Sequence, residues 1–213
     1  NKNVKNFYSS IMNQDLLKNN YILLRNFIPV DEAKELARRY KDLQKQIGFG
    51  DDIHIANAPS WSNSEDQLAL LCNLCPRISE LCGETVLPTY VFGRIYQKGS
   101  ELERHSDRAA CEISLTLHLD GDREWKFCIE TPYYEEHCVT LEPGDAIMYL
   151  GVIADHWRDK PYTGEAYTQF FLHYVRANGW CRDAFFDKNI DLYASLDQLT
   201  KVNILKKEYY ELR

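Results

Sequence analysis

Residues 113–119 alternate strictly between apolar and polar side chains, as a half-buried β-strand does. The apolar positions, which would share one face of such a strand, are Ile113, Leu115, Leu117 and Leu119. The polar positions, which would share the other face, are Ser114, Thr116 and His118. Inside a barrel the polar face would line a wet pocket, whereas on the outside it would meet solvent. The alternation leaves both arrangements open.

The same pattern of short β runs separated by turns extends over residues 88–176. Predicted strands cover residues 89–97, 111–119, 124–130, 137–141, 145–150 and 166–176. Strands spaced this closely are typical of a β-sandwich or β-barrel. This part of the chain is therefore predicted to be the β core of the protein.

Residues 1–87 are predicted to be a mostly helical lead-in. Helical spacing of apolar residues covers 7–18 and 31–46, with a short strand at 21–25 and a polar loop at 48–63 between helices. Ser64 can cap a further helix that ends near Cys82, where Gly83 follows. Residues 177–213 return to helical or irregular structure, and the 213 residues are predicted to form a single domain.

Composition narrows the classes of function. The chain is 45% hydrophobic with a net charge of −7, and Lys and Arg do not cluster in one segment. Nucleic-acid binding is not expected, because it requires a basic surface. No apolar run is long enough for a membrane span, and no signal peptide is visible, so a cytoplasmic protein is expected. The sequence does not indicate an oligomeric state or a protein partner.

Seven cysteines occur, largely within apolar stretches such as LALLCNLC and KFCIE. They are interpreted as reduced and mostly buried thiols, as expected of a cytoplasmic protein. Cys72 and Cys75 have the spacing of a redox or zinc motif. A leucine-rich helix with cysteines in its core explains them better.

Two His-x-Asp pairs are candidates for metal binding. Side chains two apart on an extended segment point the same way, so a His and an Asp can grip one metal ion together. A distant second His would complete a triad with three open positions, as in non-haem iron(II) oxygenases. Asp120 of the pair His118-Leu-Asp120 runs directly into a Gly turn. His105-Ser-Asp107 follows a strand and a Gly turn, and it is therefore the pair predicted to bind the metal.

The stretch RIYQKGSELERHSDR resembles the metal-binding strand of the 2-oxoglutarate and iron(II)-dependent dioxygenases, in particular the prolyl-4-hydroxylase-like branch. LEPGDAIMYLGVIADHW is similar to the family's Pro-Gly-Asp turn, β-strand and distal histidine, and the lead-in YILLRNFIPVDEAKELARRY to its opening strand and helix. The resemblance implies a mainly β double-stranded β-helix, a jelly-roll or cupin-like barrel, with flanking helices. It also implies that the metal ligands are His105, Asp107 and His156.

The resemblance further implies Fe(II) and 2-oxoglutarate as cofactors, with ascorbate as an optional addition. Family members usually hold the far carboxylate of 2-oxoglutarate with an Arg or Lys about ten residues after the distal histidine, but that position is Ala166. A buried dicarboxylate needs a cation. Arg158 is the first substitute, since it would share a strand face with His156, unless it forms a surface ion pair with Asp155 or Asp159. Arg94 is the second choice.

Two further residues complete the predicted cosubstrate site. Tyr96 matches a tyrosine that often hydrogen-bonds the cosubstrate in similar enzymes, and Lys126 is a third and more distant choice for the cation. No catalytic residue is predicted beyond the metal ligands.

The expected function is hydroxylation of a C–H bond by a 2-oxoglutarate and Fe(II)-dependent oxygenase. A peptidyl proline is one candidate substrate by resemblance, and neither the substrate nor its size class follows from the sequence. The alternative is a jelly-roll module that binds a metal or another ligand without oxidising it, supported by the missing cation at residue 166. A zinc hydrolase with the same ligands is a poorer third hypothesis, because no HExxH motif accompanies them.

Overall fold

The computed structural model of the protein describes residues 12–197 and residue 200. The first helix begins within this range at Gln14, so the start predicted for it near residue 7 lies outside the described residues. Most of the predicted tail beyond residue 197 lies outside them as well.

Four α-helices and ten β-strands make up the described chain. The helices are α1 (Gln14–Asn19), α2 (Val30–Ile47), α3 (Glu65–Cys82) and α4 (Ile190–Ser195). The strands are β1 (Tyr21–Leu24), β2 (Gly50–Asp51), β3 (Pro59–Ser62), β4 (Val86–Tyr96), β5 (Ile113–Gly121), β6 (Phe127–Glu130), β7 (Glu136–Val139), β8 (Ala146–Tyr149), β9 (His156–Arg158) and β10 (Tyr167–Arg176). Two 3₁₀ segments cover Ala109–Cys111 and Arg182–Lys188.

The strands form two antiparallel sheets. A seven-stranded sheet has the order β1-β8-β5-β10-β4-β3-β2, and a three-stranded sheet has the order β7-β6-β9. Buried residues contributed by both sheets form one cluster, which includes Phe127 and Ile129 of β6 with Ile147 and Tyr149 of β8. The protein is thus the mainly β barrel with flanking helices that the sequence predicted.

Strand β5 separates the two environments of the large sheet. Its leucines join the main core cluster, together with residues of α2 and α3 such as Ala37 and Leu71. Its polar residues are equally buried, since Ser114, Thr116 and His118 are at most 3% exposed. The question left open by the alternation is therefore decided: the polar face lines the interior of the barrel.

Helix α3 begins and ends where the sequence predicts. Ser64 and Gln67 form a reciprocal capping box at its start, and Gly83 ends it with a left-handed backbone. The cysteines at 72, 75 and 82 are buried on this helix and are free thiols. The helical-core interpretation of these three residues is confirmed.

Part of the lead-in was predicted wrongly as a polar loop. Within residues 48–63, β2 pairs with β3, and β3 pairs with β4 at the edge of the large sheet. These short strands carry little apolar signal of their own, because Trp61 and its neighbours remain largely exposed. Strand β9 was also not predicted, since it has only three residues.

The prediction that all cysteines are reduced is wrong at one pair. Cys128 and Cys138 form a disulfide between β6 and β7, with their Cα atoms 4.0 Å apart. The antiparallel register places the two residues directly opposite one another. Sequence spacing alone could not reveal this pairing, and the argument from cysteines for a cytoplasmic location no longer applies.

As for the expected absence of a membrane span, none of the helices in the described part of the chain has the length and apolar character to cross a bilayer.

Leu117 tests the outer core of the large sheet. It is fully buried between the sheet and the helices, so Leu117→Ala should lower the free energy of unfolding by about 2–5 kcal/mol. Urea denaturation measures this loss. Ile53→Ala is the control, because Ile53 is 90% exposed and its truncation should change stability by less than about 0.5 kcal/mol. Equal effects of the two substitutions would contradict the packing described.

Candidate metal centre

The side chains of His105, Asp107 and His156 converge at one point. Their ligand atoms all lie within 4.8 Å of one another. Oδ1 of Asp107 is 3.6 Å from Nε2 of His105 and 3.6 Å from Nε2 of His156. With bond lengths of about 2.1 Å, two atoms on one metal ion stand roughly 3 to 4.2 Å apart. The spacing therefore suits a single divalent ion.

Backbone pairing brings these distant residues together. His105 and His156 form an isolated β-bridge with N–O distances of 3.1 and 2.9 Å. The backbone N–H of Asp107 donates to the carbonyl oxygen of Gly151 at 2.8 Å. Backbone hydrogen bonds at His105, Asp107 and His156 therefore fix the positions from which the three side chains extend.

The hydrogen bonds of both imidazoles select the tautomer that a metal needs. Nδ1 of His105 is 2.8 Å from the carbonyl oxygen of Glu103, and Nδ1 of His156 is 2.9 Å from that of Ala154. A carbonyl oxygen can only accept, so both Nδ1 atoms carry the proton. In the neutral imidazoles, both Nε2 atoms then carry the lone pair that a metal ion would take.

Burial and the neighbouring groups set the pKa values of the three side chains. Burial lowers the pKa of His156 below its ordinary value, so this imidazole is neutral. Burial alone would raise the pKa of Asp107, but the adjacent His105 and the other nearby imidazoles hold it below its usual range. Asp107 in turn raises the pKa of His105. An ionised carboxylate therefore sits beside a neutral, buried imidazole, and a metal ion would compete with a proton for Nε2 of His105.

The two arginines beside the His105-Ser-Asp107 motif pair with other carboxylates and not with Asp107. Arg104 pairs with Glu130, Glu136 and Asp155, and Arg108 pairs with Asp187. Neither arginine therefore pairs with Asp107.

The second His-x-Asp pair does not converge on a site. Asp120 forms an ion pair with Lys41 of α2 at 2.9 Å. His118 instead stacks on Tyr167 inside the barrel, with ring centroids 4.0 Å apart. Among the described residues, two groups have the spacing of metal ligands, His105 with Asp107 and His156, and Asp107 with Cys111 and His173. Neither group includes His118.

Arg158 is a buried cation without a carboxylate. It is 5% exposed, and its guanidinium donates to the carbonyl oxygen of Trp125 at 2.6 Å and to Oε1 of Gln169 at 2.7 Å. Its Nε has no hydrogen-bond partner, and no Asp or Glu of the described chain lies within ion-pair distance. The surface pairing with Asp155 or Asp159 is therefore not formed, and Arg158 shares the strand β9 with His156.

Arg94 and Tyr96 lie on the inner face of β4. Arg94 is already paired, with Nη2 3.1 Å from Asp52 and Nη1 3.2 Å from the hydroxyl of Tyr96. Tyr96 is fully buried and packs edge-on against Trp125. Lys126 is exposed to solvent, unlike these two residues.

The missing cation at residue 166 has a structural explanation. Ala166 packs against the outer core cluster, whereas its neighbour Tyr167 packs inside the barrel. A basic residue at 166 would therefore face away from the site. Gln169 and Tyr167 are the inward residues, and both have a buried polar atom without a partner.

Several interior residues were not predicted from the sequence. Gln169, Tyr167 and Tyr149 are almost fully buried, and the hydroxyl of Tyr149 is 3.2 Å from that of Thr116. Only the alternation of β5 gave a signal, for Thr116 and His118. In β10 all ten residues are buried, so no alternation distinguishes its inner face.

Comparison with solved structures identifies the fold. The protein matches a prolyl-4-hydroxylase of Pseudomonas putida with a TM-score of 0.62 at 16% identity, over 76% of this chain and 95% of that one. The fold is that of the 2-oxoglutarate oxygenases. It also matches HygX of Streptomyces hygroscopicus, solved with nickel and 2-oxoglutarate, with a TM-score of 0.61 at 8% identity, over 77% and 85% of the two chains.

A third match with this fold is the α-ketoglutarate-dependent epimerase SnoN from nogalamycin biosynthesis, with a TM-score of 0.65 at 11% identity, over 76% and 80% of the chains. No protein-family model and no curated protein sequence matches the chain. The structural likeness therefore exceeds what sequence comparison detects.

Gly151 tests the packing around Asp107. A Cβ at this position would lie 2.7 Å from Oδ2 of Asp107 and would clash with the carbonyl oxygen of Cys111. Gly151→Ala should therefore displace the carboxylate and weaken metal binding by about 10- to 100-fold. Calorimetric titration with Mn(II) measures the affinity. Gly50→Ala is the matched control, because its Cβ would meet nothing within 4 Å. Wild-type affinity in Gly151→Ala would contradict the placement of Asp107.

His118 should make stability depend on pH. Burial, followed by the charge of Arg158, lowers the pKa of His118 to about 3, while the unfolded chain has the ordinary value of about 6.5. Unfolding therefore takes up a proton below about pH 6.5, and this residue should remove about 2 kcal/mol of stability between pH 7 and pH 5.

Urea denaturation at both pH values checks this effect. His118→Gln should show a smaller loss between pH 7 and pH 5 than the wild type, whatever its absolute stability. His54→Gln is the control, since His54 is exposed. A wild-type slope in His118→Gln would show that His118 does not stay neutral in the folded protein.

Proposed function

We propose that this protein is a 2-oxoglutarate and Fe(II)-dependent oxygenase that hydroxylates a C–H bond. The observation that carries the proposal is the convergence of two imidazole nitrogens and one carboxylate oxygen within 4.8 Å. Two histidines and one carboxylate leave open positions on an octahedral ion, as non-haem iron(II) oxygenases require. Solved proteins with the same fold are described with nickel or Fe³⁺ and this keto acid bound.

The chain also offers a fitting place for the cosubstrate. Buried polar atoms without partners occur on Arg158, Gln169 and Tyr167. A buried guanidinium without an anion is unfavourable, since removing a charge from water costs several kcal/mol. The distal carboxylate of 2-oxoglutarate would compensate Arg158, which lies two residues from the ligand His156.

Different residues of the chain would then bind the metal and orient the cosubstrate. His105, Asp107 and His156 hold the metal, and Arg158 orients the cosubstrate from the barrel wall. Trp125 packs over the guanidinium of Arg158 at 4.4 Å and shields the pair from water. Tyr96 would donate a hydrogen bond to the cosubstrate from β4. When bound, Fe(II) and 2-oxoglutarate supply the activation of oxygen, while the cosubstrate yields succinate and carbon dioxide.

The substrate of this reaction stays a prediction. A peptidyl proline remains one candidate by resemblance. Ascorbate likewise remains a prediction as an added reductant, and neither a partner nor an oligomeric state is proposed.

Anaerobic titration tests metal and cosubstrate together. Adding 2-oxoglutarate to the Fe(II) protein without air should produce a weak visible charge-transfer band. His105→Ala and Asp107→Ala should lose this band, because each removes a ligand. In air, the wild type should form succinate and these variants should not. Equal succinate formation in all three proteins would contradict the proposal.

A second set of variants tests the cosubstrate site. Arg158→Gln should weaken 2-oxoglutarate binding by about 30-fold or more, since a hydrogen bond to a charged group contributes about 2 kcal/mol. Arg104→Gln is the matched control, because Arg104 is half-exposed and bound to surface carboxylates. A wild-type protein that binds Fe(II) but shows no band with 2-oxoglutarate would instead favour the non-catalytic binding module.

A further inference from the structure

The interior of the barrel holds a second arginine, on a different strand from Arg158. Arg94 lies on β4, and its side chain is only 15% exposed. Three alternate residues of β4, Tyr90, Phe92 and Arg94, are half-buried, whereas the residues between them are buried. This face of β4 therefore borders an opening of the barrel and is accessible to a ligand.

Arg94 lies on the face of β4 that borders both the proposed cosubstrate site and the candidate metal centre. It donates a hydrogen bond to Tyr96, the residue proposed to contact the cosubstrate. The strand register places it opposite Gln169, which accepts from Arg158 at 2.7 Å. Further along the same face, the ring of Tyr90 lies 4.6 Å from that of His173. The hydroxyl of Ser114 is within hydrogen-bond distance of both His173 and Asp107, so this face of β4 extends to the metal-binding end of the barrel.

The anion that neutralises Arg94 comes from a surface loop. Oδ2 of Asp52 is 3.1 Å from Nη2 of Arg94, and Oδ1 accepts the backbone N–H of His54 at 2.8 Å. Asp52 directly follows β2, which has only two residues. Ile53, the next residue, is 90% exposed. The backbone of Asp52 is held within the loop, because its N–H donates to the carbonyl oxygen of Ala58 at 3.3 Å and its own carbonyl oxygen accepts from Ile55 at 3.4 Å.

The far side of this loop is fixed more firmly. Ile55 is buried among the aromatic residues of the barrel. The carbonyl oxygen of Asn57 accepts from the backbone N–H of Gln97 and from the hydroxyl of Ser100. The carboxylate of Asp52 can therefore leave Arg94 by rotation of its side chain, while the backbone bonds to residues 55 and 58 stay in place.

Aromatic rings surround the guanidinium of Arg94. Its central carbon lies 4.8 Å from the ring centroid of Phe92 and 5.3 Å from that of Phe171. Its Nε is buried without a hydrogen-bond partner. The surroundings thus combine a cation that has an unused donor with apolar surface, which suits a carboxylate attached to an apolar body.

We propose that Arg94 binds a carboxylate of the substrate and that Asp52 occupies this position until the substrate arrives. The substrate class is then an organic acid whose carboxylate lies near the C–H bond to be oxidised. This inference rests on the proposed function, because it places the substrate beside the metal and the cosubstrate. Arg158 remains the anchor for 2-oxoglutarate, since Arg158 lacks a carboxylate whereas Arg94 has one.

The exchange of one carboxylate for another conserves the charge balance inside the barrel. Arg94 stays paired throughout, so the cost of an uncompensated buried charge is avoided. The carboxylate of Asp52, which is only 8% exposed in the pair, gains water when it is released, because Asp51 and Ile53 on either side of it are exposed. A neutral substrate would lack this exchange and would leave Asp52 in place.

Binding of acids and matched amides tests the inference. The Zn(II)-loaded protein with saturating 2-oxoglutarate is titrated with two pairs, phenylacetate against phenylacetamide and N-acetylproline against its amide. The acids should bind the wild type more tightly than the amides. Arg94→Gln should weaken acid binding by about tenfold or more, and Asp52→Asn should strengthen it several-fold, because the competing carboxylate is gone. Arg104→Gln is the control and should leave both unchanged.

Hydrogen exchange gives a second measurement that does not depend on Arg94→Gln folding normally. In the wild type, a bound acid should speed amide exchange at residues 52–54, because the bond from His54 to Asp52 is released, and an amide ligand should not. Acid affinities that are equal in the wild type, Arg94→Gln and Asp52→Asn would overturn the inference. So would the absence of acid binding by all three proteins.

The failure of the proposed function is distinguishable from this result. If 2-oxoglutarate does not bind the Fe(II) protein, the oxygenase proposal fails. The acid titration without 2-oxoglutarate then still reports on Arg94, and Arg158→Gln shows whether the acid has bound at Arg158 instead. Dependence on Arg158 rather than Arg94 would overturn the inference.

Discussion

Two backbone hydrogen bonds between His105 and His156 are the constraint on which the candidate site depends. They join a segment after β4 to the start of β9, at 3.1 and 2.9 Å. Strand β9 belongs to the small sheet through its pairing with β6. The bridge therefore aligns both imidazoles at one end of the barrel, and Asp107 follows through its bond to Gly151. Without this pairing the ligand atoms would have no common point.

The two faces of the large sheet lie in different environments. One face packs on α2 and α3 and is almost wholly apolar, while the other holds polar and charged groups away from water. Buried polar groups are stable only when they are paired, and several here are not. These unpaired groups, together with two arginines inside the barrel, are the basis for the proposal that the interior binds anionic ligands.

The two arginines differ in the way their charge is balanced. Arg158 lies between aromatic rings and neutral hydrogen-bond acceptors, whereas Arg94 forms an ion pair with Asp52 of a surface loop. The proposed site for an anionic cosubstrate and the proposed exchangeable site for an acidic substrate rest on this difference. Both depend on the β4, β9 and β10 strands, which are fixed by the same sheets that position the metal ligands.

The sequence by itself determined the β core, the capped helix α3 and the three residues proposed as metal ligands, because alternation, capping and motif order are local patterns. Tertiary structure decided what depends on distant partners. The edge strands β2 and β3 and the disulfide Cys128–Cys138 exist through pairing with other strands. The register of β10 decides the direction in which Ala166 points. The loop that carries Asp52 decides the ion-pair partner of Arg94. Periodicity shows that a strand has two faces, but only packing shows which face meets the metal.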